Sequence, residues 1–146
     1  MNKLILQNFT IRYLIFMVTI SWTPLAEVNP QSEYLVFAGI TERKSVWTFF
    51  SYLMRARKVQ GQLNTTKGLI GYTARMEFLG KKLVNLTVWE NESALAEFAH
   101  KGQHAECMEK AKAGLKPTQY VRWQISGSEL PPKIEDAISR LQNQKP

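Results

Sequence analysis

Two runs of alternating residues, separated by a short turn, constrain the fold of this chain more than any other feature. Residues 69–78 and 82–89 alternate with the two-residue period of a β-strand. Residues 79–81 lie between them and include Gly80, which predicts a hairpin loop. Neither run has a purely polar side, so both faces of the predicted sheet carry apolar groups.

The segments around this hairpin predict a complete small domain. Residues 34–40 are a continuous apolar run, typical of a buried strand, and residues 119–125 alternate as a last strand. Helical periodicity covers residues 44–63, after the N-cap candidate Ser45, and begins again after Asn91. Gly102 predicts a break in that second helix. The order is β-α-β-β-α-β, an α+β, ferredoxin-like arrangement.

The first predicted helix has an apolar stripe at helical spacing, which we expect to face the core. It consists of Val46, Phe49, Phe50, Leu53 and Met54. Trp47 is also assigned to the core, the usual place for a large aromatic side chain.

The domain is predicted to span residues 17–130, followed by a short amphipathic helix and tail over 131–146. Residues 1–16 form an N-terminal extension, and Met17 is the preferred true start, opening a strand. In that case the protein is expected to be cytoplasmic. The alternative is that residues 1–22 are a signal or anchor, which would make the protein exported or membrane-attached.

Two helices cover only one face of a four-stranded sheet. The other face should therefore be buried by a second, identical subunit in an isologous contact. We expect a homodimer in which two sheets form a closed barrel.

The composition of the chain argues against two classes of binding partner, nucleic acids and membranes. The net charge is +7, but the Lys and Arg residues are scattered apart from "RARK" at 55–58, so no nucleic-acid partner is predicted. A membrane partner is not predicted either, since the apolar run near the N-terminus is shorter than a span. Cys107 is the only cysteine, which excludes an internal disulfide and fits a reducing compartment.

The stretch "LTVWENESALAEFAHKGQHAECM" resembles the second hairpin strand and second helix of dimeric α/β-barrel proteins of the antibiotic-biosynthesis-monooxygenase type. The resemblance covers roughly residues 18–135 and includes a spheroidene monooxygenase-like branch. It implies a monooxygenase-like oxidoreductase acting on a hydrophobic small molecule, with haem as a potential cofactor. The haem-degrading branch fits poorly, because residues 34–40 contain no Asn.

The resemblance implies that His104 is a haem ligand or substrate contact in an aromatic-lined pocket. The expected substrate-contact residues are Trp89, Tyr72, Phe98 and Phe50. The competing interpretation is structural: His104 would cap backbone carbonyls at the Gly102 break. No metal site is predicted, because His100 and His104 are separated by Gly102 and have no third ligand at recognisable spacing.

No catalytic residue is identified by the sequence. Two functional hypotheses remain open: a monooxygenase-like enzyme, and a non-catalytic binding or interaction domain of the same fold whose pocket is filled by side chains.

Overall fold

A five-stranded antiparallel sheet organises residues 17–144, the part of the chain that the computed structural model describes. The strands are β1 Met17–Pro24, β2 Glu33–Glu42, β3 Leu69–Glu77, β4 Lys82–Trp89 and β5 Gln119–Ser126, in the spatial order β1-β3-β4-β2-β5. The helices are α1 Phe49–Leu63, α2 Glu92–His100, α3 Gly102–Ala111 and α4 Ile134–Asn143. Short 3-10 turns lie at Val46–Thr48, Lys112–Gly114 and Gly127–Glu129.

The predicted ferredoxin-like order is confirmed. It runs from β2 through α1, β3, β4 and the α2–α3 pair to β5. The strand predicted from Met17 is also present: β1 pairs antiparallel with β3, from Met17 opposite Glu77 to Pro24 opposite Gly71. The predicted extension over residues 1–16 lies outside the described residues.

Local capping chemistry fixes the helix starts as the sequence indicates. The Ser45 hydroxyl accepts a hydrogen bond from the Trp47 amide (3.2 Å), and the Asn91 side chain accepts one from the Ala94 amide (2.9 Å). The break at Gly102 is real, because α2 ends at His100 and α3 begins at Gly102, whose φ is +68°.

The two faces of the sheet have different cover. On one face, which we call the helix face, β2, β3 and β4 pack under α1, α2 and α3 through a cluster of buried residues: Leu35, Leu63, Leu69, Tyr72, Trp89, Leu95 and Phe98. On the other, which we call the α4 face, the cluster is Tyr34, Val36, Ala38, Ile70, Leu86, Val88, Val121, Ile125, Ala137 and Leu141.

The expectation that this second face is left bare by the chain itself is wrong. Ala137 and Leu141 of α4 are buried in the cluster on the α4 face, and Arg75 of β3 pairs with Glu135 of α4 at 3.0 Å. The apolar stripe of α4 needs a partner surface, and the sheet supplies it. A dimer is therefore not needed to cover all of this face, and the homodimer stays a prediction.

The expected inward stripe of α1 is wrong in part. Phe49 is 1% exposed, as predicted, but Phe50 is 68% exposed, Met54 58% and Trp47 89%. The first turns of α1 are apolar on two sides. The side with Phe49 and Leu53 packs inward, which leaves the other side in solvent.

Arg43 joins the start of α1 to the end of the hairpin. Its side chain is buried, and its guanidinium donates to the backbone carbonyls of Ser45 and Val46 and to those of Glu77 and Phe78, at 2.8 to 3.2 Å. The four bonds satisfy carbonyls of two segments with one side chain, which holds the two segments together.

Candidate functional site

A cavity of about 370 Å³ lies between the helix face of the sheet and the helices α1 and α3. This volume falls within the range of small-molecule pockets, roughly 300 to 1,000 Å³. Apolar and small side chains supply most of the wall: Val18, Ile20, Phe37, Gly39, Leu53, Ala56, Val59, Leu63, Ala74, Met76, Leu83, Met108 and Ala111. The enclosure suits a hydrophobic molecule.

The wall formed by α3 is fixed by Gln62 of α1. Its side chain donates to the Lys101 carbonyl (3.1 Å) and accepts from the His104 amide (2.7 Å), so one amide serves both sides of the break before α3. Gln62 thus binds one carbonyl at the break, and the His104 ring has a backbone interaction with Ala99 near the end of α2. The structural interpretation of His104 therefore stays a prediction, and the same side chain also lines the cavity.

His104 has a largely apolar environment. Its ring centroid lies 4.8 Å from that of Phe98, which in turn lies 5.3 Å from Trp89. Burial lowers the pKa of His104, and a backbone interaction with Ala99 opposes only part of this shift. Nδ1 is enclosed and lacks a partner in hydrogen-bond geometry, so any polar contact to a bound molecule must come from Nε2.

Of the four expected substrate-contact residues, only Tyr72 lines the cavity together with His104. The Tyr72 hydroxyl is already engaged, since it accepts from Gln60 Nε2 (3.2 Å) and donates to Asn64 Oδ1 (2.8 Å). Tyr72 therefore offers a ligand its ring surface rather than its hydroxyl.

The other three expected contacts lie elsewhere. Trp89 and Phe98 are buried behind the wall, where the Trp89 indole donates to Thr87 Oγ1 at 2.8 Å. Phe50 lies on the solvent side of α1. The prediction that these three residues line the pocket is wrong: Trp89 and Phe98 are on the helix face but enclosed in its buried cluster, and Phe50 is on the solvent side.

Asn85 is a cavity residue that the sequence analysis missed. It lies on β4 opposite Gly39 of β2, and a Cβ at Gly39 would come within 2.9 Å of Asn85 Oδ1. Gly39 thus leaves the space that the amide occupies. The amide has no hydrogen-bond partner among residues 17–144, which leaves it available to a ligand. The signal in the sequence was a polar residue between Leu83 and Thr87 on one side of a buried strand.

Tyr52 of α1 adds a second polar group to the wall. Burial raises the pKa of Tyr52, with interactions from Thr41 and Arg43 opposing the shift, so its hydroxyl stays neutral at physiological pH. Asn85, Tyr52 and His104 are among the polar residues of a mainly apolar wall, the composition that gives a ligand both affinity and orientation.

Residues 17–144 contain neither of two other kinds of site. No group of three or more His, Cys, Asp or Glu side chains there is arranged to hold a metal ion. Among the same residues, no helix has the length and apolar character needed to cross a membrane.

Comparison with known proteins gives a family and a fold. Residues 50–145 match the model of a family described as "Domain of unknown function (DUF3291)". No protein of curated function matches the chain in sequence.

Solved structures with the same fold include a proposed monooxygenase from Lactobacillus acidophilus (TM-score 0.57, 13% identity) and one from Fusobacterium nucleatum (0.61, 9%). These align over 73% and 77% of this chain, which spans about half of theirs, 51% and 50%. A proposed antibiotic biosynthesis monooxygenase from Nitrosomonas europaea aligns over 61% of this chain and 95% of its own (0.55, 10%). At such identities the likeness establishes the fold.

Proposed function

Because the chain belongs to the DUF3291 family and shares its fold with proposed monooxygenases, we propose that it binds a hydrophobic small molecule in the cavity and acts on it as a monooxygenase-like protein. One observation carries the proposal. An apolar cavity of about 370 Å³ holds an amide, that of Asn85, with no partner within the described chain. The Asn85 side chain is half-buried and reachable from the cavity, unlike the enclosed Nδ1 of His104, so a bound molecule can form a hydrogen bond with it.

The wall residues suggest how a substrate would be held. The apolar side chains exclude water, and the Asn85 amide would orient one oxygen or nitrogen of the substrate. His104, whose pKa is lowered by burial, is neutral near pH 7 and can exchange a hydrogen bond or a proton through Nε2. An electron-rich substrate would supply the electrons itself: a CH₂ group oxidised to a carbonyl by O₂ places one oxygen atom in the product and the other in water.

Haem binding through His104 is a separate hypothesis. An imidazole that ligates a metal normally donates its other ring N–H to a carbonyl, carboxylate or water. The interaction of the His104 ring with the Ala99 backbone does not reach hydrogen-bond geometry at Nδ1, so this support for an axial ligand is weak. We derive no step through haem.

Binding should be tested first, with the full chain and a panel of fused-ring phenols and linear polyenes, followed by titration calorimetry. Asn85→Leu should weaken binding of the oxygen-bearing probes roughly tenfold, the loss of about one hydrogen bond, and leave all-carbon analogues unaffected. Gln124→Leu is the matched control, because it replaces an exposed amide on the same sheet outside the cavity.

Two further measurements separate the alternatives. Oxygen uptake with a bound probe would distinguish an enzyme from a binding domain. A Soret band with haemin that His104→Ala removes and His100→Ala retains would support the haem hypothesis. Binding that Asn85→Leu and Gln124→Leu change equally would place the ligand outside this cavity and overturn the proposal.

A further inference from the structure

We propose that the solvent side of α1 docks the protein onto an anionic lipid surface. Three apolar side chains form this side, and we call them the α1 patch: Trp47, Phe50 and Met54. Phe50 and Met54 are four residues apart on one side of α1, and Trp47 lies three residues before Phe50, in the 3-10 turn that leads into the helix. At 89%, 68% and 58% exposed, they are far from the burial usual for such side chains.

The α1 patch continues onto the end of the hairpin. Met17 and Leu79 are each 42% exposed, and Met17 pairs with Glu77 at the end of β3. The ring of Phe78 lies 5.1 Å from that of Phe49 at the start of α1. The exposed apolar groups of two segments therefore lie at the same end of the molecule.

The charge that α1 itself places next to the α1 patch is basic, while Glu106 of α3 lies within electrostatic range of Lys58 and Glu77 lies beside Met17. Arg57 and Lys58 are exposed on the turn that follows Met54, and neither forms an ion pair within the described residues. The helix α1 contains no Asp or Glu, and its basic residues are Arg55, Arg57 and Lys58. A row of Trp, Phe and Met beside Arg and Lys matches the composition of helices that lie in the interface of anionic membranes.

Charge also argues against a second copy as the occupant. An isologous contact centred on the α1 patch would place Arg57 and Lys58 of one copy near those of the other, because residues close to the two-fold axis meet their own counterparts. Like charges that meet in a contact are repulsive. An anionic lipid surface attracts the same charges. Its acyl chains also accept Met and Leu side chains, whereas nucleic-acid bases stack on aromatic rings and not on Met or Leu, which argues against a nucleic-acid partner.

The α1 patch and the cavity share one helix. Arg57 is exposed and also lines the cavity, while Leu53 and Ala56 line it from the inward side of α1. A hydrophobic molecule leaving the lipid would therefore have a short path to the cavity. The docking itself does not depend on the function proposed above.

Vesicle flotation of the full chain tests the proposal. Wild-type protein should float with vesicles of phosphatidylcholine and phosphatidylglycerol, bind phosphatidylcholine alone much more weakly, and lose binding in high salt. The triple variant Trp47→Ser/Phe50→Ser/Met54→Ser should lower the partition coefficient roughly tenfold or more, because the buried apolar area is lost. Arg57→Glu/Lys58→Glu should lower it by a similar factor and weaken the salt dependence.

Matched variants keep the test specific. Tyr120→Ser removes an exposed aromatic ring from β5, and Lys112→Glu/Lys133→Glu makes the same charge change at exposed sites off α1. Both should bind as wild type does. Trp47→Phe should retain binding while removing the blue-shifted part of the indole emission that vesicles induce.

The outcomes that would overturn the proposal are distinct. The serine triple variant could bind vesicles as tightly as wild type, which would assign binding to another part of the chain. Light scattering could show a dimer that the triple variant alone dissociates, which would make the α1 patch a subunit contact. Binding of a single-stranded oligonucleotide that depends on the α1 patch, with no vesicle binding, would assign the patch to nucleic acid.

Discussion

On the α4 face of the sheet, Val36, Leu86 and Ala137 are 0% exposed, whereas the helix face of the same strands encloses a cavity of about 370 Å³. Successive residues of a strand point to opposite faces, so alternate residues of each strand determine how the two faces differ. On β4, Val84, Leu86 and Val88 face α4, while Leu83, Asn85 and Thr87 face the cavity.

The difference in packing between the two faces indicates which face holds the proposed site. Protein interiors are normally close-packed, so an unfilled space beside small and polar residues is not explained by stability. Gly39, Ala74 and Asn85 keep that space open on the helix face. The proposed ligand site therefore belongs to the helix face, which also has a buried cluster, whereas the described cavity does not extend to the α4 face.

Leucine truncation on β4 should show the largest difference between the faces. Leu86→Ala removes a side chain that is 0% exposed in the α4-face cluster and should lower the free energy of unfolding by about 2 to 5 kcal/mol. Leu83→Ala, three residues earlier, enlarges an existing cavity and should cost less than about 2 kcal/mol. Urea unfolding at equal m-values measures both. Equal losses would show that the two faces are packed alike.

The converse change, alanine to leucine, should separate the faces by a smaller amount. Ala38 is fully buried on the α4 face, so Ala38→Leu should overpack it and cost about 1 to 3 kcal/mol. Ala74→Leu adds the same atoms to the cavity wall and should change stability by less than about 1 kcal/mol while blocking probe binding. Thermal unfolding and calorimetry check the two effects. Unchanged probe affinity in Ala74→Leu would place the ligand elsewhere.

The strands, helix caps and break at Gly102 could be predicted because each depends on a few neighbouring residues. Alternation specifies a strand, and the Ser45 and Asn91 side chains reach amides only two or three residues away. The hydrophobic patterns of β2 and of the hairpin then restrict the order in which the strands can pair in the sheet.

The misplaced residues are those whose environment depends on distant segments. The first turns of α1 are apolar around both Phe49 and Phe50, and only packing against the sheet decides which side turns inward. The position of α4 over the second face likewise depends on contacts across the fold. Asn85 was overlooked as a site residue because its role depends on the space left by Gly39 on the neighbouring strand.

The smallest expected difference between the cavity wall and the exposed surface is in the pH dependence of stability, and it comes from a histidine in the wall. Burial in the cavity wall lowers the pKa of His104 from its ordinary value of 6.5, because desolvation penalises the imidazolium, and the Ala99 backbone opposes only part of this. Between pH 6.5 and the lowered value, the unfolded chain binds more protons than the folded one. The contribution of His104 to stability is thus complete above pH 6.5 and is lost as the pH falls through the folded-state pKa.

His104→Gln should therefore flatten the decline of the melting temperature as the pH falls below 6.5, whereas His100→Gln, at an exposed position, should leave it as in wild type. The carboxylates of Glu42, Glu106 and Glu135 have lowered pKa values, through hydrogen bonds and nearby Lys or Arg side chains, and act at more acidic pH. A bound probe that contacts Nε2 should shift this pH dependence in wild type and not in His104→Gln. If both histidine variants follow the wild-type curve, His104 is not desolvated in the folded protein, and its place in the cavity wall has to be revised.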